Sequence, residues 1–227
     1  MKKAPSPLVQ APSTPAAAPA SPREPLAGFQ YARSQFEELV DMALSHAKQL
    51  GAADAAAEVS EGAGLSVSVR KGELENVERN RDKSLGVTVY IGQRRGNAST
   101  SDFSPAALKA TVEAAYNIAR FTADDDCAGL ADEDMLELSP RDLKLFYPWD
   151  LGTEDAVALA QRAEAAAFGV DPRVTNSEGA NVHVQQSHFV SANSRGFIGG
   201  YPFSRHTLSV APIAGKGAKM QRDDWYS

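Results

Sequence analysis

Apolar and polar positions repeat with two different periods along this chain. Phe36, Leu39, Val40, Ala43, Ala47 and Leu50 fall at steps of three and four, which predicts a helix over residues 34–50. Gly51 stands where a left-handed residue would stop it. The period then drops to two. Ala55, Ala57 and Val59 alternate with Ala56, Glu58 and Ser60, and Leu65, Val67 and Val69 alternate with Ser66, Ser68 and Arg70. Lys71-Gly72-Glu73 predicts a turn into a strand over 74–78. A further strand over 85–91 puts Leu85, Val87, Val89 and Ile91 on one face, and residues 92–96 close it. Short connections between such strands predict an antiparallel meander with one apolar face.

Helical spacing returns after Ser104, which can cap, and Pro105, which suits a first helical position. Leu108, Val112, Ala115, Tyr116 and Ala119 form its stripe, ending near Arg120. Residues 122–151 are acidic and irregular, with an aromatic cluster at 145–149 that reads as a loop anchor folded onto the domain, the alternative being a partner surface. An alanine-rich helix follows over 154–168, with Thr153 as its expected cap and Gly169 at its end. Val157, Ala160, Ala163, Glu164 and Ala167 predict a small buried face that packs closely on a sheet. Strand periodicity then resumes, with an expected turn at 177–179, a hairpin about Gln186-Ser187, and a strand over 207–213. The predicted class is α+β, with antiparallel meanders packed against helices in two helix-then-meander units.

Composition shortens the folding length. Seven of the thirteen prolines lie within the first 25 residues, among alanines and serines, so residues 1–27 read as a disordered leader. The expected organisation beyond it is a helix–meander–helix unit at 28–121, an acidic linker at 122–152, and a truncated second unit at 153–227. A formal charge of −6, from 29 acidic and 23 basic residues, argues against a domain dominated by phosphate-backbone binding. The single cysteine, Cys127, excludes an internal disulfide and a thiolate-rich metal site. No apolar run reaches the roughly 20 residues that span a bilayer, and Lys2-Lys3 is followed by no signal-like core, so a cytoplasmic location is expected.

Candidate chemistry is sparse. Asp124–Asp126 and Asp132–Asp134 invite calcium, but their spacing fits no EF-hand loop and reads as a solvated linker. His183 and His188 are five apart, so they face opposite ways on one strand and approach each other only across the hairpin expected at 185–187. No carboxylate or cysteine is expected beside them to complete a metal site. Cys127 sits among aspartates that disfavour its thiolate, and no G-x-S-x-G elbow, P-loop or dinucleotide fingerprint is present. Arg94 and Arg95, with Arg70, Lys71, Arg79 and Arg81, form a basic zone suited to an acidic partner segment, or simply a wet sheet face. Exposed strand edges offer a second mode of binding, by strand addition.

The stretches Gly64–Arg70, Gly72–Glu78 and Leu85–Asp102 resemble the TldD/PmbA family, most of all its PmbA-type (TldE-type) branch. Ala115–Thr122 with Asp125 and Gly129–Ala131 is similar to that family's segment after its second helix. Asn193–Phe197 is similar to a later turn, and 215–227 to the run into its central region. The resemblance implies one subunit of a cytoplasmic two-protein metallopeptidase that processes or degrades peptides. A TldD-like partner would hold zinc through a helical H-E-x-x-x-H and a distant cysteine. The PmbA-type subunit would lack those ligands and complete the substrate enclosure, and no zinc motif carries over to this sequence.

The resemblance thus implies no catalytic residue, metal or cofactor in this chain, a TldD-like partner, a peptide substrate, and a homodimer as an option for the isolated chain. Nucleic acid and membranes are not expected partners. Arg94, Arg95, Asn97, Ser99 and Thr100, in a turn at 97–100 and just before it, are candidates for substrate or partner contact. Asn193, Ser194 and Arg195, in a second turn, are the others. The alternatives are a stand-alone peptide-binding or assembly domain, and an independent metal-dependent hydrolase built on His183 and His188. The expected extent is the N-terminal part of a longer subunit.

Overall fold

A computed structural model describes residues 25–26 and 28–227 of the chain. The expected leader, apart from residues 25 and 26, lies outside the described residues. The elements run α1 (Arg33–Gln49), β1 (Asp54–Arg70), β2 (Glu73–Ile91), β3 (Arg94–Thr100), α2 (Pro105–Phe121), α3 (Thr153–Phe168), β4 (Val174–Asn193), β5 (Ile198–Gly199), β6 (Pro202–Ala214), β7 (Gln221–Arg222) and β8 (Trp225–Tyr226). The class is α+β, with antiparallel strands packed against three helices.

One eight-stranded sheet runs through the described chain, in the order β3-β2-β1-β4-β6-β7, with β5 on β4 and β8 on β6. The central pairing is β1 with β4, from Ala56↔Asn193 to Val69↔Ala180. The two helix-then-strand runs of the sequence therefore share a single sheet. All three helices lie over the same face, because odd-numbered residues from Ala55 to Val69 in β1 point one way along an unbroken strand. Ala55, Ala57 and Val59 pack with Phe36, Val40, Leu108 and Val112 of α1 and α2. Leu65, Val67 and Val69 pack with Ala156 and Ala160 of α3.

Several expectations are corrected here. The runs at 55–60 and 65–70 are one 17-residue strand, and those at 74–78 and 85–91 are one 19-residue strand. The pattern broke at Gly62 and Gly64, which interrupt the side-chain alternation without ending backbone pairing. No hairpin forms at Gln186-Ser187, because β4 continues straight through from Val174 to Asn193. The expected turn at 177–179 is a bulge inside β4, where Gly179 has φ 117° and donates to Ser177 Oγ at 2.7 Å. Thr153 is the first residue of α3 rather than its cap, and Gly152 holds the cap position without a side-chain bond.

Helix ends otherwise follow the sequence. Ser104 Oγ accepts from Ala107 N at 3.3 Å with Pro105 behind it. Gly51, with φ 89°, donates to Lys48 O at 3.0 Å as α1 ends. The loop at 145–149 is anchored on β6. Ser204 N donates to Leu145 O at 3.0 Å, and the Trp149 and His206 rings meet edge-on at 5.5 Å.

The β1–β2 turn is clamped from beneath by α3. Glu164 is 1% exposed, and its carboxylate accepts from Lys71 N at 2.8 Å and Gly72 N at 2.7 Å. These charge-assisted bonds hold a left-handed pair, Lys71 at φ 54° and Gly72 at φ 78°, in place. Glu164→Ala is expected to lower stability by about 2–3 kcal/mol and to speed amide exchange at Lys71 and Gly72 beyond the change seen at Val67. Uniform protection across these amides would contradict that role.

Candidate functional site

The strand register decides which predicted residues meet. Directly opposed residues in antiparallel strands share a face. Thr88 faces both Asn97 and Ala56, and Ala56 faces Asn193. Gly86 faces Ser99 and Glu58, and Glu58 faces Ser191. Arg95 faces Tyr90, which faces Asp54. Arg95, Asn97 and Ser99 therefore sit with Asn193 on the face opposite the helices, around a shallow depression of about 360 Å³ lined by Ala56, Glu58, Thr88, Asn97, Ser99 and Ser191. The stretch 97–100 is strand, not turn.

Arg94 and Thr100 are not part of that surface. Arg94 Nη1 donates to Arg120 O at 3.0 Å at the end of α2, and Thr100 Oγ1 accepts from Asp102 N at 3.0 Å ahead of the α2 cap. Both are occupied in holding α2 to β3.

The turn after β4 is tied down through its own side chains. Asn193 Oδ1 accepts from Arg195 N at 2.9 Å and Phe197 N at 3.2 Å. Ser194 Oγ donates to Asp54 Oδ1 at 2.6 Å and accepts from Ala55 N at 3.1 Å. Arg195 bridges Asp54 Oδ2 at 2.7 Å and Ala131 O at 2.9 Å, joining the turn to the start of β1 and to the acidic segment. Burial pushes the Asp54 carboxyl up, but the Arg195 and Ser194 hydrogen bonds and the Arg195 charge outweigh it and hold it below its ordinary value. No histidine belongs to this cluster, and the carboxylate that accepts the Ser194 proton, Asp54, is held below its ordinary value, which makes it a weak base for activating the hydroxyl.

His183 and His188 lie on opposite faces of β4. His183 is exposed opposite Ser66 and Thr207. His188 is 6% exposed, its ring against Phe29 and Phe36 at centroid distances of 4.4 and 4.5 Å. They cannot share a metal, which removes the independent hydrolase built on them. A carboxylate does stand beside His188, although 127 residues away in sequence: Glu61 Oε1 lies 2.9 Å from its Nε2. Glu61 is 2% exposed and also accepts from Gln30 N at 3.0 Å and Tyr31 N at 2.8 Å, fastening the segment that enters α1. Its signal in the sequence is a charged residue in step with the apolar stripe Val59, Leu65, Val67. Among the described residues, no three His, Cys, Asp or Glu side chains converge on a point where a metal could bind.

The expected basic zone is not one patch. Arg70 bonds Ser177 O at the hairpin end, and Arg94 and Arg95 lie at the other. Between them, Arg79 and Arg81 line a cleft of about 490 Å³ on the helix face, between the α1–α2 and α3 packing regions, with Trp149, Asp150, Gln186 and Gly28 on its other sides. Arg79 Nη2 donates to Thr153 Oγ1 at 3.0 Å, and Arg81 Nη1 stands 4.0 Å from Glu61 Oε2.

A three-helix layer over one long-stranded antiparallel sheet is a fold found among solved structures. A proposed modulator of DNA gyrase from Bacteroides thetaiotaomicron superimposes with a TM-score of 0.74 at 20% identity, covering 84% of this chain and 44% of that one. TldE from Thermococcus kodakarensis superimposes with a TM-score of 0.64 at 14% identity, covering 85% and 42%. Family models described as PmbA/TldA metallopeptidase domain 1 and PmbA/TldA metallopeptidase central domain match residues 55–119 and 146–227. Metalloprotease PmbA of Escherichia coli O157:H7 is 45% identical over 196 residues, which is 86% of this chain and 43% of that protein. The Metalloprotease PmbA homolog of Haemophilus influenzae is 42% identical over 193 residues, 85% of this chain and 43% of that protein. The chain belongs to the PmbA/TldD family, and it spans less than half the length of these curated relatives.

Proposed function

We propose that this chain is the N-terminal part of a PmbA/TldE-type subunit in a cytoplasmic zinc metallopeptidase complex that processes or degrades peptides. In this reading zinc and the cleavage chemistry belong to a TldD-like partner, and the present residues shape the enclosure around an extended substrate. The 45% identity with a protein called Metalloprotease PmbA carries the reading. It is supported by the chemistry of the described residues. A hydrolytic zinc requires about three protein ligands and an open coordination position. Of the buried ionisable groups here, Glu61 and Glu164 are instead spent on fastening backbone, and His188 is paired with Glu61. Among the described residues no helix is long and apolar enough to cross a membrane.

Co-expression of the full-length subunit with a TldD-like protein tests the assignment. A stable complex is expected, with zinc bound and peptide cleaved only while the partner's own ligands are intact. One equivalent of zinc in the isolated subunit, or cleavage by it alone, would overturn the non-catalytic role. Failure to associate with any such partner would leave a stand-alone peptide-binding domain.

A further inference from the structure

β2 is longer than the strand that covers it. β3 pairs with Leu85–Ile91 only, while β1 pairs with the other side of β2 from Glu73 to Tyr90, with one irregularity at Glu75. From Glu73 to Ser84 the outer edge has no strand beside it among the described residues, and residues 73–82 are all exposed. Charge on an edge is a common guard against aggregation. Here, however, the charges are sorted by face.

Counting back from Leu85, Arg79, Arg81 and Lys83 point to the helix face, and Glu78, Asn80 and Asp82 to the opposite one. Lys83 is engaged by the Tyr31 hydroxyl at 2.8 Å and lies over the Phe103 ring at 4.8 Å. Arg79 and Arg81 lie over the cleft. On the other face Asn80 lies across Gly64, where a Cβ would stand 2.7 Å from Asn80 Oδ1, and it donates to Asp82 Oδ2 at 3.1 Å. The free edge is basic on one side and acidic on the other.

That arrangement opposes antiparallel pairing with a second copy. Centred on Asn80, such a pair sets Arg79 beside Arg81 and Glu78 beside Asp82. Centred on Arg79, it sets Arg79 beside itself. Like charges directly opposed are destabilising on a sheet. The chain's own first 23 residues suit the edge no better, since they contain no acidic residue and six prolines, which donate no ladder bond.

We propose that the β2 edge, residues 76–84, receives an extended segment of a different polypeptide. That segment carries acidic side chains opposite Arg79 and Arg81 and basic ones opposite Glu78 and Asp82. Backbone pairing supplies the attachment and the two charge rows fix partner and register. The inference rests on the two-subunit reading only for the identity of that polypeptide.

Peptides with alternating Glu and Lys test the edge directly on the full-length subunit. A peptide of the same composition with Glu and Lys in blocks, and an alternating peptide N-methylated at every second residue, serve as controls. The alternating peptide is expected to slow amide exchange within 76–84 and to bind roughly tenfold or more tighter than either control, through four cross-strand charge pairs acting together. Arg79→Glu/Arg81→Glu is expected to abolish that preference.

Arg81→Glu/Asp82→Lys is expected to make the edge self-complementary. Arg79 then meets the introduced carboxylate at position 81 of a second copy, and Glu78 meets the introduced ammonium at position 82. A subunit that does not pair with itself through 76–84 should therefore begin to do so in sedimentation and amide exchange. Equal binding of the block peptide, protection located elsewhere, or self-pairing of the unmodified chain through 76–84 would overturn the proposal. Loss of zinc-dependent cleavage in the complex with peptide pairing intact would count against the peptidase assignment alone.

Discussion

Replacing Gly96 by alanine is expected to destabilise the chain by about 3 kcal/mol, at the upper end of what overpacking costs. Gly96 is buried where β3 passes beneath α2, and a Cβ there would collide with the carbonyl oxygen of Ala115 and the amide nitrogen of Ala119. Both are helix backbone, so no rotamer change relieves the clash. Either α2 lifts away from Leu85, Val87 and Val89, or β3 leaves the sheet. For a folded length near 200 residues the loss corresponds to a fall in Tm of roughly 6–12 °C. Gly86→Ala is the matched control, since nothing lies within 4 Å of its Cβ position and its φ is not in the left-handed region. It is expected to be neutral or slightly stabilising. Denaturation midpoints at unchanged m-value would measure both, and equal effects of the two substitutions would refute the packing argument.

Glu61→Leu is expected to cost about 3–5 kcal/mol, because it breaks a buried pair with His188 and strands two further donors at the same carboxylate rather than merely deleting a contact. Gln30 N, Tyr31 N and His188 Nε2 all converge on this one carboxylate beneath Phe29 and Phe36. Adding His188→Phe should restore part of the loss, because the ring site already accepts a flat side chain between aromatics. That recovery is a positive coupling measurable in a double-mutant cycle.

The same pair sets a pH dependence. Burial pushes the His188 pKa down, and the Glu61 hydrogen bond and charge offset that only in part. The unfolded chain therefore binds the His188 proton more readily than the folded one. The contribution of neutral His188 is fully present above about pH 6.5 and is lost as pH falls from there through its lower folded value. Stability measured from pH 7.5 down to 5 should fall more steeply in the unmodified chain than in His188→Phe. Parallel curves would remove His188 as the cause.

Local pattern was most reliable where one periodicity ran without interruption. The stripe from Phe36 to Leu50, the cap at Ser104-Pro105 and the alternation from Leu85 to Ile91 are legible because each depends on neighbours within a few residues. It misled where glycine or polar residues interrupted a strand whose pairing continued. Gly62, Gly64 and residues 185–187 read as breaks, yet they lie mid-strand, because the backbone ladder is satisfied by β1, β2 and β4 regardless of side chain.

The candidate site divides in the same way. Asn193, Ser194 and Arg195 belong to a turn visible in the sequence, but the bonds of Ser194 and Arg195 to Asp54 and Ala131 span 64 to 141 positions. Family, helix positions and the lack of a zinc motif could be read from the residues alone. Only the tertiary structure decided that Glu61 meets His188, that Glu164 holds the β1–β2 turn, and that β2 outruns β3 to leave a charged edge. Each depends on register and strand length across the sheet, which are set by long-range pairing and burial rather than by local preference.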